Sequence, residues 1–269
     1  PADMSMPFYV APEQVMKDRA DYARKGIARG RSLAGVAYDS GILICAENRS
    51  TTLHKVSEIY DHIGFAAVGK YNEFDQLRIA GIRHADLKGF SYSREDVDAR
   101  SLANAYAQIL GQVFTHEMKP MEVEILVAEV APDGERDQMF HLLYDGTVVD
   151  EHDYAVLGGE SDVIAERLGA AWSAGLDLQG AVRATAGALG GPERTLAAPD
   201  LEVAVLDRSN GRRSFRRIEG DELTDLLGVQ PSESTADEPS TDLPPPGTDE
   251  ASSGGSAESG ESGESTASD

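Results

Sequence analysis

The sequence is poor in cysteine and has no long apolar run. Its one cysteine, Cys45, excludes an intrachain disulfide and suits a reducing cytoplasm. Cys45 lies within the run ILICA at 42–46, which predicts a buried small hydrophobic residue. No stretch of about 18 apolar residues occurs, so we expect no membrane-spanning helix. These absences indicate a globular, cytoplasmic protein without disulfides.

Basic residues are also scarce, with 24 Lys and Arg against 47 Asp and Glu and a net charge of −23. Residues 229–269 contain ten Asp and Glu and no Lys or Arg, so the rest of the chain has a net charge of −13. Nucleic acid is therefore not expected as a partner, because phosphate recognition needs a basic surface. The segment 229–269 is rich in Ser, Gly and Glu, which predicts a disordered acidic tail.

The predicted folded domain, residues 12–228, begins with a basic helix over 12–27. Pro12 suits a first helical turn, and an apolar stripe follows at Met16, Ala20, Ala23 and Ile27. The alanine-rich stripe favours close packing against protein, and a membrane-surface helix is the alternative. Residues 1–11 precede this helix and are predicted to be mobile.

Hairpin and helix signals alternate in groups along the rest of the domain. The pattern predicts strands at 33–38, 42–47, 56–61 and 65–69, helices at 72–85 and 99–117, strands at 123–130, 139–144 and around 148–149, helices at 161–174 and 178–189, and strands at 202–206 and 215–218. Asp98 is a candidate cap for the helix that starts at 99. Helix pairs placed between groups of antiparallel strands predict an α+β fold, a four-layer α-β-β-α sandwich.

Cofactor and metal motifs are not evident. The six histidines show no ligand spacing such as His-x-x-x-His, and glycine-containing stretches such as GKYNEF and LGGES lack a phosphate-loop pattern. We therefore expect neither a metal nor a nucleotide cofactor on this chain.

Three stretches agree in order and spacing with a known family: PFYVAPEQVMKDRADYARKGIARGRSLAGVAY at 7–38, GILICAENRSTTLHKVSEIYDHIGFAAVGKYNEFDQL at 41–77 and LGGESDVIAERL at 157–168. The sequence from about residue 7 to 228 thereby resembles the proteasome family, most closely the alpha-type subunits of actinobacterial 20S proteasomes. The resemblance implies an N-terminal nucleophile hydrolase-like fold with an additional N-terminal alpha-type helix.

The same resemblance implies a set of partners. Alpha-type subunits form heptameric outer rings that hold two beta rings in a stacked alpha-beta-beta-alpha barrel. They gate the entry of unfolded protein substrates and dock activators, such as a ring-shaped ATPase unfoldase, through the activators' C-terminal tails.

Catalysis by this chain is not expected. Beta-type subunits use an N-terminal threonine, whose amine is the base and whose hydroxyl is the nucleophile. Alignment with the first beta-type strand puts Arg31 or Ser32 near that position, and neither is threonine. Glu47 falls near the acidic residue that supports the nucleophile, and here a surface or structural carboxylate is expected.

The lysine in ENRSTTLHKVSEIYDHI, Lys55, is the main candidate binding residue. The residues alone leave a solvated surface lysine as the alternative. The family resemblance implies a pocket between neighbouring subunits, in which the lysine at this place pairs with the C-terminal carboxylate of an activator. Arg24 is expected to help line this pocket.

Two further segments carry expectations from the resemblance. Phe8, Tyr9 and Val10, with the turn at Pro12, are the candidate gate, although the Tyr-Asp-Arg gate motif of many relatives is replaced by Phe-Tyr-Val. A disordered arm with no closing role is the alternative. The stretch FTHEMKP, with His116, Glu117 and Met118, matches the loop that narrows the entrance channel.

Two other functions stay open from the residues. An active N-terminal nucleophile hydrolase would need a mature chain that starts at about Ser32. A free-standing adaptor would use the basic helix and the acidic tail to bind partners, and would be a monomer.

Overall fold

The computed structural model describes residues 11–131 and 137–228. The candidate gate residues Phe8, Tyr9 and Val10 and the predicted tail at 229–269 lie outside the described residues. The helices are α1 (Pro12–Ile27), α2 (Tyr71–Ser91), α3 (Ala99–His116), α4 (Ser161–Ala171), α5 (Leu178–Gly190) and α6 (Gly220–Leu227). The strands are β1 (Leu33–Tyr38), β2 (Gly41–Glu47), β3 (Val56–Tyr60), β4 (Ile63–Gly69), β5 (Val123–Glu129), β6 (Gln138–Leu142), β7 (Val148–Glu151), β8 (Tyr154–Leu157), β9 (Leu201–Asp207) and β10 (Phe215–Ile218).

The strands form two five-stranded sheets, ordered β10-β9-β2-β1-β8 and β3-β4-β5-β6-β7. Neighbouring strands in the described sheets pair antiparallel throughout. Chain-adjacent hairpins such as β1–β2, β3–β4 and β9–β10 account for much of the pairing, as short connections favour. The predicted antiparallel arrangement is confirmed.

Three apolar layers separate four layers of secondary structure. Along β2, Ile42 and Ile44 point into the space between the two sheets, whereas Leu43 and Cys45 point towards α4 and α5. In the second sheet, alternate residues of β4 and β5 pack against α2 and α3. Because successive strand residues face opposite sides, each sheet buries both faces. The predicted four-layer α-β-β-α sandwich and the buried Cys45 are confirmed.

Helix α1 closes one end of the space between the sheets. Ala23 and Ile27 are buried in the inter-sheet core, and Ala20 packs against that core. Gly26 lies so close to Glu122 that an added Cβ would stand 2.1 Å from a carboxylate oxygen. The predicted bounds of α1 are confirmed, and within this chain its small residues pack against protein.

The main differences from the sequence prediction concern length and short elements. Helix α2 continues to Ser91, beyond the predicted end at 85. Its backbone hydrogen bonds extend past the last buried residue, and within this added part Phe90 is 91% exposed, so the apolar pattern does not mark it. Strand β8 is separate from β7, and α6 follows β10 where no element was predicted. The predicted cap at Asp98 is confirmed, since its Oδ1 accepts a hydrogen bond from Ser101 N at 2.7 Å.

Candidate functional site

A compact loop leads from the end of β2 in the first sheet to the start of β3 in the second sheet and places Lys55 directly before β3. Asn48 Oδ1 accepts a hydrogen bond from Ser50 N at 3.0 Å, and Asn48 Nδ2 donates to Leu53 O at 2.8 Å. Ser50 Oγ accepts from Leu53 N at 3.0 Å. Such local side-chain to backbone bonds are typical of Asn and Ser in turns. They fix the loop immediately before Lys55.

The Lys55 ammonium is held by two backbone carbonyls. Nζ donates to Arg31 O at 2.7 Å and to Glu47 O at 3.0 Å, so it joins the start of β1 to the end of β2. An ammonium has three donors. Two are used by these carbonyls, and the third has no acceptor among residues 11–131 and 137–228.

Two opposing effects act on the pKa of Lys55: partial burial lowers it, and nearby carboxylates raise it. Desolvation lowers the pKa of Lys55 to about 8, against the opposing effect of the Glu202 and Glu47 carboxylates. A compact ammonium that has lost part of its water gains more from a carboxylate partner than a fully solvated one does. The site therefore favours an incoming anion.

Glu202 supports the Lys55 segment from β9. Its carboxylate accepts hydrogen bonds from Lys55 N at 2.8 Å, Val56 N at 3.1 Å, Asn48 Nδ2 at 2.8 Å and Arg217 Nη1 at 2.8 Å. Burial raises the pKa of Glu202, but these hydrogen bonds outweigh it and hold the pKa below its ordinary value. Glu202 is therefore an ionised anchor for the backbone around Lys55.

Glu47 is a buried structural carboxylate, not a surface one, since only 4% of the residue is exposed. Arg31 Nη1 lies 2.6 Å from Glu47 Oε1, and Arg194 Nη1 and Nη2 lie 2.8 and 3.2 Å from its two oxygens. A small cavity of about 150 Å³ adjoins this cluster, with Ser32 in its lining. Of the two expected alternatives, the structural one is therefore correct.

This cluster includes Arg31 and lies beside Ser32, the two positions that the alignment puts near the nucleophile of beta-type subunits. The Arg31 guanidinium donates a hydrogen bond to Glu47, and the Arg31 backbone carbonyl accepts one from Lys55. Ser32 is buried at the start of β1 and follows the folded helix α1 in the chain. The arrangement places two arginines on one buried carboxylate, and Lys55 links the residues before β1 to the end of β2.

Arg24 lies on α1, away from the Lys55 hydrogen bonds. Its guanidinium Cζ lies 5.6 Å from the centroid of the Tyr144 ring, and Nη1 is 3.4 Å from Asp21 Oδ1. No hydrogen bond joins Arg24 to Lys55 or to its two carbonyl partners among the described residues. Pro12 is the first residue of α1 and is exposed.

The candidate entrance-channel loop follows α3. His116 ends the helix, and Met118 is 96% exposed. Lys119 anchors the loop, because its Nζ lies 2.7 Å from Glu73 Oε1 and 2.9 Å from Glu122 Oε2. His116, Glu117 and Met118 thus form an exposed tip on a fixed base.

The part of the chain that the structure describes contains no group of three His, Cys, Asp or Glu side chains arranged to hold a metal ion. A helix of bilayer-spanning length and apolarity is likewise absent from residues 11–131 and 137–228.

Sequence reasoning missed Glu202 and Arg194, which hold the site together. Glu202 lies 147 residues from Lys55, and Arg194 lies the same distance from Glu47. Local spacing carries no signal for contacts across such separations. The one available signal was a charged residue, Glu202, near the start of a strand that is apolar from 203 to 206.

Comparison with known proteins agrees with the resemblance. A family model described as Proteasome subunit matches residues 27–199. The chain is 63% identical over 228 residues to "Proteasome subunit alpha" of Acidimicrobium ferrooxidans, covering 85% of this chain and 98% of that relative. It is 59% identical to the protein of that name from Sanguibacter keddieii, over 83% of this chain and 90% of the relative. For that of Nocardioides sp. the identity is 53%, over 91% of this chain and 100% of the relative.

Proposed function

This chain belongs to the proteasome family as an alpha-type subunit, and from that membership we propose that it forms the outer rings of a 20S proteasome core. In this role seven copies surround the entrance, hold the beta rings and admit unfolded proteins for degradation inside the cell. Activators, such as a ring-shaped ATPase, dock on the outer face by inserting their C-terminal tails between neighbouring copies.

The observation that carries the docking proposal is the hydrogen bonding of Lys55. Its ammonium is fixed by the carbonyls of Arg31 and Glu47, and its third donor has no acceptor in the described part of the chain. A chain-end carboxylate would supply that acceptor and the opposite charge. Because Arg24 does not meet Lys55 within one chain, it would line the pocket from the neighbouring copy.

The chain would serve the complex without cutting peptides itself. An N-terminal threonine-type mechanism needs a free amine beside the hydroxyl. Here Arg31 and Ser32 follow a folded α1, and the Arg31 side chain is committed to Glu47. Peptide cleavage would then belong to the beta subunits.

Entry would be controlled by two segments at the pore. Phe8, Tyr9 and Val10 are proposed to form the gate, with Pro12 setting the direction in which they leave α1. The exposed tip of His116, Glu117 and Met118 is proposed to narrow the channel behind them, on the base held by Lys119.

Docking is tested with a synthetic peptide that matches the C-terminus of an activator and carries a free carboxylate. Assembled particles with Lys55→Ala should bind it about 10- to 100-fold more weakly, because a hydrogen bond to a charged group contributes about 1.5–3 kcal/mol. The matched control is Lys17→Ala, which removes an exposed lysine from α1. A peptide with an amidated C-terminus should bind both variants and the unmodified particle equally weakly.

Equal binding of the free-acid peptide to Lys55→Ala and unmodified particles would contradict the docking role. The native mass of the particle tests whether the ring forms. We expect a large particle that contains this chain intact, at 28.8 kDa, together with a second, processed chain. A chain that starts near Ser32 would instead support the hydrolase, and an intact monomer would support the adaptor.

A further inference from the structure

An arginine-flanked groove runs along the outer surface of α5. Two adjoining cavities of about 360 and 490 Å³ share Arg183, Gly187 and Gly191 in their linings. The first extends towards Arg194 and Leu227, and the second extends towards Arg167 on α4. Together they form one elongated depression beside the α4–α5 pair.

Two of the arginines are held by backbone rather than by carboxylates. Arg183 Nε donates to Leu226 O at 3.0 Å, and Arg167 Nη1 donates to Ala188 O at 3.5 Å. Within residues 11–131 and 137–228 neither arginine forms an ion pair. These bonds orient the guanidinium groups and leave most of their N–H donors unused.

The charge of the groove contrasts with that of the whole chain. No Asp or Glu from the described part of the chain lines either cavity, although the full sequence carries a net charge of −23. The third arginine, Arg194, already pairs with Glu47 at 2.8 Å. Among the described residues, positive charge without an ion-pair partner is therefore concentrated at Arg167 and Arg183, where it would attract a carboxylate-rich partner.

The shape of the groove suits a peptide. Apart from its chain neighbours and the backbone of its own helix, no described atom lies within 4 Å of the position that a Cβ on Gly187 would take, so a partner backbone can approach α5 closely. Leu196 and Leu227 add apolar surface at one end. A segment with two carboxylates and an apolar side chain would match the arginines and this end.

We propose that the α4–α5 groove is a docking site for an acidic peptide segment of a partner protein. Carboxylates of the segment form charge-assisted hydrogen bonds with Arg183 at the centre and with Arg167 at one end, and an apolar side chain rests on Leu196 and Leu227. The groove adjoins the Lys55 site at Arg194, which pairs with Glu47, but Arg167 and Arg183 bond to Ala188 O and Leu226 O instead, so a test on these two arginines does not depend on chain-end docking.

The test measures binding of a dye-labelled, capped peptide that contains Glu and Leu to the full chain. The same peptide with Gln in place of Glu is the ligand control. The acidic peptide should bind more tightly, and Arg167→Gln combined with Arg183→Gln should weaken its binding at least about tenfold, since the charge-assisted hydrogen bonds to both guanidinium groups are lost. A rising salt concentration should also weaken binding of the acidic peptide, because salt screens the attraction between charges.

The matched control is Arg83→Gln combined with Arg100→Gln, which removes the same charge from exposed positions on α2 and α3. This pair should leave binding nearly unchanged. Arg167→Gln alone loses only a 3.5 Å hydrogen bond within the chain, so it keeps the fold even if the double variant is unstable. It should still weaken binding severalfold.

Three results would overturn the proposal: equal binding of the Glu and Gln peptides, equal losses in the groove pair and the control pair, or no loss in Arg167→Gln. A labelled oligodeoxythymidine is run beside the peptide. Arginine-dependent binding of the oligonucleotide alone would replace the peptide proposal by nucleic-acid binding.

Discussion

Lys55 keeps an ammonium in partly desolvated surroundings because two backbone carbonyls replace some of its lost water. The cost of burial is visible in its pKa of about 8, lowered mainly by desolvation. Glu202 and Glu47 oppose that cost from β9 and β2. A lysine in this state is charged at neutral pH but close enough to titration that its environment decides the charge.

Docking of a free-carboxylate peptide should therefore weaken as pH rises through 8. Below this pH Lys55 is protonated in both folded and unfolded chains. Between pH 8 and the unfolded value of about 10.4, the folded chain releases the proton first, so the free energy of unfolding should rise while docking weakens. Peptide affinity measured from about pH 6.5 to 9.5 shows the docking part of this window.

Lys55→Arg is the control for the pH experiment, because a guanidinium stays charged throughout the range. Any residual affinity of this variant should be independent of pH. An unmodified particle whose affinity is equally flat across pH 8 would show that Lys55 titration does not control docking.

At the scale of elements, the α2–α3 pair depends on one close crossing. Gly81 of α2 lies against Tyr106 of α3, and a Cβ on Gly81 would stand 1.8 Å from the tyrosine oxygen. Tyr106 is only 1% exposed, and its hydroxyl has no hydrogen-bond partner among the described residues. The helices approach this closely because position 81 lacks a side chain.

Gly81→Ala should therefore lower the free energy of unfolding by about 1–3 kcal/mol, as overpacking of a core commonly does. Urea denaturation measures the loss. Gly111→Ala in α3 is the control: its nearest contact would be 3.5 Å away, so the gain in helix propensity should make it neutral or slightly stabilising.

Adding Tyr106→Phe to Gly81→Ala should restore part of the lost stability, because it removes the nearer clashing atom, the oxygen at 1.8 Å, while Tyr106 Cζ stays 2.6 Å from the added Cβ. If Gly81→Ala and Gly111→Ala change the free energy of unfolding equally, or if Tyr106→Phe restores no stability, the close contact with Tyr106 is not the reason that position 81 requires glycine.

At the scale of the whole molecule, the two sheets fit together through alternation of small and large residues. Gly35 in the middle of β1 faces Leu126 of β5 across the inter-sheet core. A Cβ on Gly35 would stand 2.5 Å from Leu126 Cδ2 and 3.4 Å from Met139 Sδ. The separation of the sheets is thus matched to a glycine opposite a leucine.

A double-mutant cycle should reveal this fit. Gly35→Ala alone should cost about 1–3 kcal/mol through overpacking, and Leu126→Ala alone about 2–5 kcal/mol through the cavity that it leaves. Together they should cost less than the sum, because each relieves the defect of the other. Urea denaturation of the four proteins measures the coupling, and strict additivity would contradict direct contact between these positions.

Most of the fold was encoded in local sequence patterns. Period-two alternation and short turns predicted the hairpins, apolar stripes predicted α1 to α5, and the grouping of these elements predicted four layers. These signals are local because backbone hydrogen bonding and side-chain direction repeat every few residues. Helix α6 and the separation of β7 from β8 were missed because such short elements contain too few repeats to show a period.

The sequence by itself also determined the family and drew attention to Lys55, Glu47 and Arg31. Only the tertiary structure decided what these residues do to one another. It made Glu47 a buried partner of Arg194, bonded Glu202 to the Lys55 backbone and placed Arg167 of α4 on the same cavity as Arg183 of α5. The physical reason is that charge pairing and desolvation depend on distance in space, and the chain brings together residues that the sequence separates by 147 positions.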